Sequence, residues 1–431
     1  MSMDKIDVVI VGGGLAGLSA AYKLADMGKQ VILLERGDAP GNKNVTGGRI
    51  YVEPVRSFFP EIIAEAPFER HVVKETLTVM DDESSTQMEY THNRWHSEPY
   101  MSYTVLRARF DRWFSEKVME KGAFVIPKRR VDDLLWEDGR VAGVLAGGEE
   151  IPAHIVIAAD GVFSFMAEKA HLRNPQAPKN YALAIKEVYK IDPLTIEERF
   201  GLGPGEGAAN LFMGSVTQGM FGGGFLYTNQ DSLSIGLVLG MQSQMDKRPQ
   251  VESYQLIDAF TARPEVARWI KGGQLEEYSA HIISEAGIKG TPMLYTDGML
   301  VAGDAAGFAL NMGLTVRGME FAMASGALAA EVASKSLEKG DTSKEFLSLY
   351  ERMLRDSFVL TDMETFRHSL DVLENPRLFT VYPKFICSLL EKVFTITGAP
   401  KQGLYSSAKE VAKKNLLNWD GFKDFLTFRK M

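Results

Sequence analysis

Cysteine is almost missing from this chain: Cys387 is the only one in 431 residues. That excludes an internal disulfide, a thiolate zinc centre and a protein-held iron–sulfur cluster, each of which needs several thiolates. Cys387 falls in an apolar helical pattern with Phe385, Ile386, Leu389 and Leu390, where a thiol serves as a small core residue. Histidine is scarce as well, seven residues scattered along the chain, and no metal site is expected. No stretch approaches the roughly 18 uninterrupted apolar residues of a membrane span. No charged-then-apolar leader is expected, because Met1–Asp7 runs straight into the first strand. Positive charge is outnumbered, 48 Lys and Arg against 56 Asp and Glu, which argues against nucleic acid as a partner. A cytoplasmic protein is expected, and any redox chemistry in it must rest on a bound organic cofactor.

Glycine, by contrast, is placed with care. Ile6–Val11 is a short β-branched apolar run, the pattern of a parallel strand buried on both faces. It runs into Gly12-Gly13-Gly14-Leu15-Ala16-Gly17. Gly12 permits a tight turn, Gly14 lets backbone approach a pyrophosphate, and Gly17 lets the helix expected over Leu15–Met27 pack on the sheet. The amides of Leu15 and Ala16 open that helix, whose N-terminus attracts phosphate. A second strand, Gln30–Leu34, leads to Glu35-Arg36. A carboxylate at Glu35 accepts both ribose hydroxyls and repels a 2′-phosphate, so the adenosine belongs to FAD or NAD.

Two later segments select FAD. Ile155–Ala158 is an apolar strand that leads into Asp160-Gly161. Met299–Val301 is another, followed by Gly303-Asp304-Ala305-Ala306-Gly307, where a short carboxylate can hold a ribityl hydroxyl. Gly313 to Gly318 then precedes a helical pattern over Met319–Lys335 whose first amides can face the flavin N1–C2=O edge.

The order of these pieces implies a mixed α/β chain. It has a Rossmann-like FAD-binding domain of the glutathione-reductase type, interleaved with an antiparallel-sheet substrate domain and followed by a helical C-terminal region. The flavin pieces are placed at 1–75, 105–180 and 285–340, the substrate and quinone side at 76–104 and 181–284, and the helical region at 341–431. In the second domain, strand-like runs at Phe225–Thr228 and Leu233–Leu239 are broken by Gly222-Gly223-Gly224. Arg107 opens a helix over Phe110–Lys121 and either reaches the flavin and its phosphates or pairs on the surface.

Several segments are more specific than these flavin motifs: Lys43 to Tyr51, Gly222 to Asn229 and Glu277 to His281. Together with Val301–Gly307 and Arg317-Gly318-Met319, they resemble the FixC group within the ETF:quinone oxidoreductase and geranylgeranyl reductase superfamily. The resemblance runs from about residue 4 into the C-terminal helices. It implies a FAD-dependent oxidoreductase that accepts electrons from an electron-transfer flavoprotein and passes them towards a membrane quinone, in the quinone branch of a bifurcating complex. It also implies a separate ferredoxin-like iron–sulfur partner, since one cysteine cannot hold a cluster. A prenyl-lipid ene reductase is the alternative on the same fold. Flavin halogenases are disfavoured, because none of the five tryptophans lies in a WxWxIP motif.

Within this family reading, Gly47, Gly48 and Arg49 are candidates for flavin contact, against a plain turn with a surface arginine, and Arg317 is carried as a cofactor residue. Tyr227, Tyr278 and His281 are candidates on the quinone side, each with a structural reading as a buried ring. The last 31 residues hold seven Lys or Arg against three Asp or Glu, interleaved with Trp419, Phe422, Phe425, Leu426 and Phe428. That is the composition of a helix lying in a headgroup layer, so peripheral attachment to the inner face of the cell membrane is expected. Packing on the domain or on a partner explains the same residues.

Overall fold

The computed structural model describes residues 5–43, 48–416 and 419–429. Its first sheet has eight strands, with a parallel core ordered Met299–Val301, Glu149–Ala158, Ile6–Val11, Val31–Leu34, Phe124–Ile126. The β-branched run at its centre explains that position. Ile6–Val11 pairs on both sides, Val9 with Val156 and with Ile32, and Val8, Val9 and Ile10 are completely buried. Each such side chain contributes about 1.5–3 kcal/mol relative to exposure. Arg140–Ala146 folds back antiparallel on Glu149–Ala158, and Val131–Glu137 pairs with it in turn.

Helix Leu15–Asp26 and helix Met319–Lys339 pack together on this sheet. Their contact is close because Gly326 faces Ala16, where an added Cβ would stand 2.1 Å from the Ala16 carbonyl oxygen. Both helices follow glycine N-caps that lack a side-chain cap, Gly14 and Gly318. Their leading N–H groups are thus left for another acceptor. Helix Arg107–Glu120 begins three residues before the expected start, which places Arg107 in its first turn.

The second sheet has nine strands, with Gln274–Ser284 at one edge, followed by Tyr181–Lys190, Ser232–Gly240, Gly222–Thr228, Glu206–Gly214 and His71–Met80. Ser102–Thr104 and Arg49–Tyr51 extend it, and Ser85–Thr91 also pairs with His71–Met80. All of its pairings are antiparallel except Glu206–Gly214 with His71–Met80.

Two expectations change here. Gly222-Gly223-Gly224 does not break the strand but forms its first half, because side chains would collide with Val238, Phe212 and Phe260. Residues 49–51 and 71–75, expected with the flavin pieces, hydrogen-bond into this second sheet instead.

Beyond residue 340 the described chain is helical, including Phe358–Thr365, Val381–Phe394, Leu404–Asn415 and Trp419–Phe428. Cys387 is buried on helix Val381–Phe394. No helix of the described residues is long and apolar enough to cross a membrane.

Candidate functional site

A cavity of about 930 Å³ lies where the carboxyl ends of the parallel strands meet the second sheet. It falls at the upper end of the roughly 300–1,000 Å³ typical of ligand sites. The strand ends bring glycine backbone and acids to one wall. Gly12 adopts φ +105°, and a Cβ there would stand 2.2 Å from the Ala159 oxygen, so only glycine makes this turn. At Gly17 a Cβ would lie 2.0 Å from the Gly12 oxygen, which fixes how tightly the helix follows. Gly14 faces open space towards the cavity, and Leu15 and Ala16 line it beside Gly14.

Glu35 is already oriented. Its Oε2 accepts the Gly13 N–H at 2.8 Å, and its Oε1 accepts the Gly37 N–H. Arg36 stands beside it on the cavity wall, with Arg129 and Arg130 nearby.

Asp160 is half-buried on the cavity wall. Its Oδ2 accepts the Met166 N–H at 3.0 Å, while its Oδ1 is buried with no hydrogen-bond partner. Burial pushes this carboxyl up to about 6. An unpaired buried carboxylate oxygen costs free energy unless a donor meets it. Together with the uncapped helix starts and the oriented Glu35, this orphan atom fits a cradle built for a dinucleotide. FAD fits that donor and acceptor set: phosphates at the Gly14 helix start, ribose hydroxyls at Glu35.

Farther along, Asp304 opens into the cavity although protein surrounds it, and burial raises its carboxyl against the opposing pull of Arg107 and His281. Arg107 lines the same wall while its guanidinium is held by Asp111 at 2.9 and 2.8 Å. It faces the cavity, and its pairing is with a fully buried carboxylate rather than on the surface. Gly161 and Gly313 line the wall too, whereas Gly303 and Gly307 shape the turn behind Asp304 with φ of +66° and +75°.

Arg317 lies on the wall in a cage, bonded to Glu320 at 2.6 Å and to Asp362 at 2.5 Å. Its guanidinium sits 4.7 Å from the Phe321 ring centre.

The second sheet supplies the opposite wall. Arg49 lines it but is neither free nor on the surface: it pairs with Glu75, bonds Ser102 and stacks on Tyr51 at 4.6 Å. Gly48 lines the wall, and the ring its bareness admits is Tyr227, 2.4 Å from where a Cβ would stand. Gly47 lies outside the described residues. Burial raises the Tyr227 phenol, and its ring also lines the cavity.

On the edge strand Gln274–Ser284, His281 faces the cavity and burial lowers its imidazole. Tyr278, three residues earlier, points to the other face because strand side chains alternate. It is half exposed and absent from the cavity wall. Among the candidates for the quinone side, Tyr278 is therefore set apart from Tyr227 and His281.

Sequence reasoning missed Glu285. It follows that strand on the His281 parity, lines the cavity, and accepts from Asn311 Nδ2 at 3.3 Å. Burial pushes its carboxyl up to about 7. The sequence signal was weak: Glu285, like Glu35, is an acid directly after a strand, but that strand is largely polar. Lys186, paired with Glu277 at 3.0 Å, is another missed wall residue. The C-terminal region adds an apolar side: Phe366, Val372, Leu373, Leu378, Phe379 and Phe428.

Three family models match parts of the chain. Residues 7–192 match the model for FAD dependent oxidoreductases, 181–283 the model "ETF-QO, ubiquinone-binding", and 370–431 the C-terminal domain of the ETF-QO/FixC family. The chain is 41% identical to the probable electron transfer flavoprotein-quinone oxidoreductase YdiS of Escherichia coli K12, over 98% of this chain and 99% of that protein. It is 43% identical to Protein FixC of Escherichia coli O157:H7, over 97% and 95% of the two chains. Among solved structures, a geranylgeranyl bacteriochlorophyll reductase-like protein of Thermoplasma acidophilum superposes with a TM-score of 0.72 at 19% identity, covering 96% and 97% of the two chains. At that identity it supports the fold alone. The full-length relatives and the dinucleotide cradle lead to one assignment: this chain belongs to the ETF-QO/FixC family of FAD-dependent oxidoreductases.

Proposed function

We propose that this chain takes electrons from an electron-transfer flavoprotein and delivers them to a membrane quinone. It serves as the quinone branch of a bifurcating complex, with a separate ferredoxin-like iron–sulfur partner. One observation carries the reading. The segment matching the ubiquinone-binding model, 181–283, contributes His281, Tyr227 and the Gly222 strand to the same cavity as the dinucleotide cradle. Bound there, FAD supplies the redox chemistry that one buried cysteine cannot. The chain's own residues bind and orient it: Glu35 takes the ribose, Asp160 and the Gly14 helix start take the neighbouring donors and phosphates, and Asp304 takes the ribityl chain.

Reducing a quinone also consumes protons, and a group that titrates near neutrality is suited to hold one. Glu285 meets that requirement, with His281 across the same strand end. The apolar side formed by Phe379, Leu378 and Phe428 suits a quinone headgroup and the first part of its tail.

Access to the bilayer is assigned to the last helix. Asp424 pins it inward through Arg377 at 2.6 Å, Asn375 at 2.7 Å and Tyr382 at 2.6 Å. Trp419, Phe422 and Leu426 lie on the opposite helical face and are exposed by 69%, 51% and 45%. Inward Phe428 and outward Trp419 support this reading, since the helix that lines the cavity also carries an exposed aromatic face of the kind that suits a headgroup layer.

The test is anaerobic mixing of the oxidised flavoprotein with reduced cognate electron-transfer flavoprotein. Bleaching of the flavin absorbance within seconds is expected. A flavin that stays oxidised with this donor, yet bleaches with dithionite, overturns the reading and brings the prenyl-lipid ene reductase forward.

A further inference from the structure

Away from the cavity, His71, His96 and Glu206 converge so that one ligand atom from each lies within 4.8 Å of the others. They come from distant parts of the chain. His71 and Glu206 are the first residues of two parallel strands and are register partners. His96 sits on the short turn Asn93–His96, beyond the hairpin strand Ser85–Thr91. We infer that these three side chains form a binding site for a first-row divalent cation of the Zn²⁺ class, which ties this excursion to the sheet.

The donor set is two imidazoles and a carboxylate, which suits borderline ions such as Zn²⁺ and leaves a position for water. Bonds of about 2.0–2.1 Å in a tetrahedron place neighbouring ligand atoms about 3.3 Å apart. His96 Nδ1 and Glu206 Oε1 are separated by 3.3 Å. The His71 and His96 rings meet edge to face, with centres 5.9 Å apart.

Groups behind the ligands hold them in place, as in established metal sites. Glu206 Oε2 accepts the Gly203 N–H at 2.7 Å, which turns Oε1 towards His96. The His71 ring makes a backbone hydrogen bond with Gly205. His96 is half exposed, so an ion can enter from solvent. His92, four residues earlier, is occupied otherwise: its Nδ1 accepts the Arg94 N–H at 3.0 Å.

The experiment is calorimetric titration of the metal-stripped, FAD-loaded chain with Zn²⁺, alongside thermal unfolding with and without Zn²⁺. The wild type is expected to bind one Zn²⁺ here and to unfold at a higher temperature with it. His96→Ala and Glu206→Gln are each expected to lose at least about tenfold in affinity, and His96→Ala to lose the thermal gain. His154→Ala, which removes another exposed imidazole, is expected to change neither. An unaltered flavin spectrum in His96→Ala shows that the fold is kept, since His96 lies on a surface turn outside the cavity. Wild-type affinity in His96→Ala, or no Zn²⁺ uptake by the wild type, overturns the proposal.

Discussion

Glu285 shows what burial does to a single carboxyl. Its ordinary value is 4.5, and the protein raises it to about 7. Between those values the folded state holds a proton that the unfolded chain has released, so this group's contribution falls as pH rises through that window. Glu285→Gln should remove the effect. Its stability relative to wild type should grow from pH 4.5 to 7, by up to about 3 kcal/mol, in denaturant melts across that range. A gap that stays flat with pH would show that the carboxyl is not buried as described. The same variant should also slow flavin reoxidation by quinone while leaving reduction by the electron-transfer flavoprotein unchanged.

Glu35 is a second residue-scale case. Glu35→Ala removes an acceptor aimed by two backbone N–H groups. FAD affinity should drop about ten- to hundredfold, since hydrogen bonds to charged groups are each worth about 1.5–3 kcal/mol. Fluorescence titration of the apoprotein with FAD reads that change. Gly48→Ala meets the Tyr227 ring at 2.4 Å and should destabilise the fold by about 1–3 kcal/mol through overpacking.

At the scale of elements, legibility followed periodicity. The strand at Ile6–Val11 and the helix from Leu15 were readable because apolar continuity, glycine placement and a terminal acid agree within thirty residues. Strand parity alone separates His281 from Tyr278, but which of the two faces the cavity follows from the pairing on Tyr181–Lys190, and that pairing is not local. The glycines at 222–224 read as a break because glycine is usually disfavoured in strands. Here Phe212, Phe260 and Val238 occupy the space that side chains would need. Arg49 was read as a flavin contact or a surface arginine, because nothing in the sequence announces Glu75 and Ser102 across the sheet. Glu285 was missed although its place after a strand resembles that of Glu35.

The last helix carries its own prediction. Trp419→Asp with Phe422→Asp should lower co-sedimentation with anionic liposomes several-fold and leave the flavin spectrum intact, because both side chains are exposed. Unchanged co-sedimentation would remove this helix from the membrane contact.

Across the whole molecule, the eight-stranded sheet carries the wall of Gly12, Gly14 and Glu35, the nine-stranded sheet supplies the opposing wall, and the C-terminal helices close the apolar side. That arrangement puts the cofactor cradle, a near-neutral carboxyl and an exposed aromatic helix face in sequence from cavity to surface. Its central claim is that a quinone reaches the cavity and is reduced there. The direct measurement is a single-turnover experiment in which pre-reduced flavoprotein is mixed anaerobically with a short-chain quinone and flavin absorbance is followed. The account predicts full recovery of the oxidised spectrum with one quinone consumed per flavin, and no recovery with a prenyl lipid that offers only isolated double bonds. Recovery with the prenyl lipid, and none with the quinone, would contradict it.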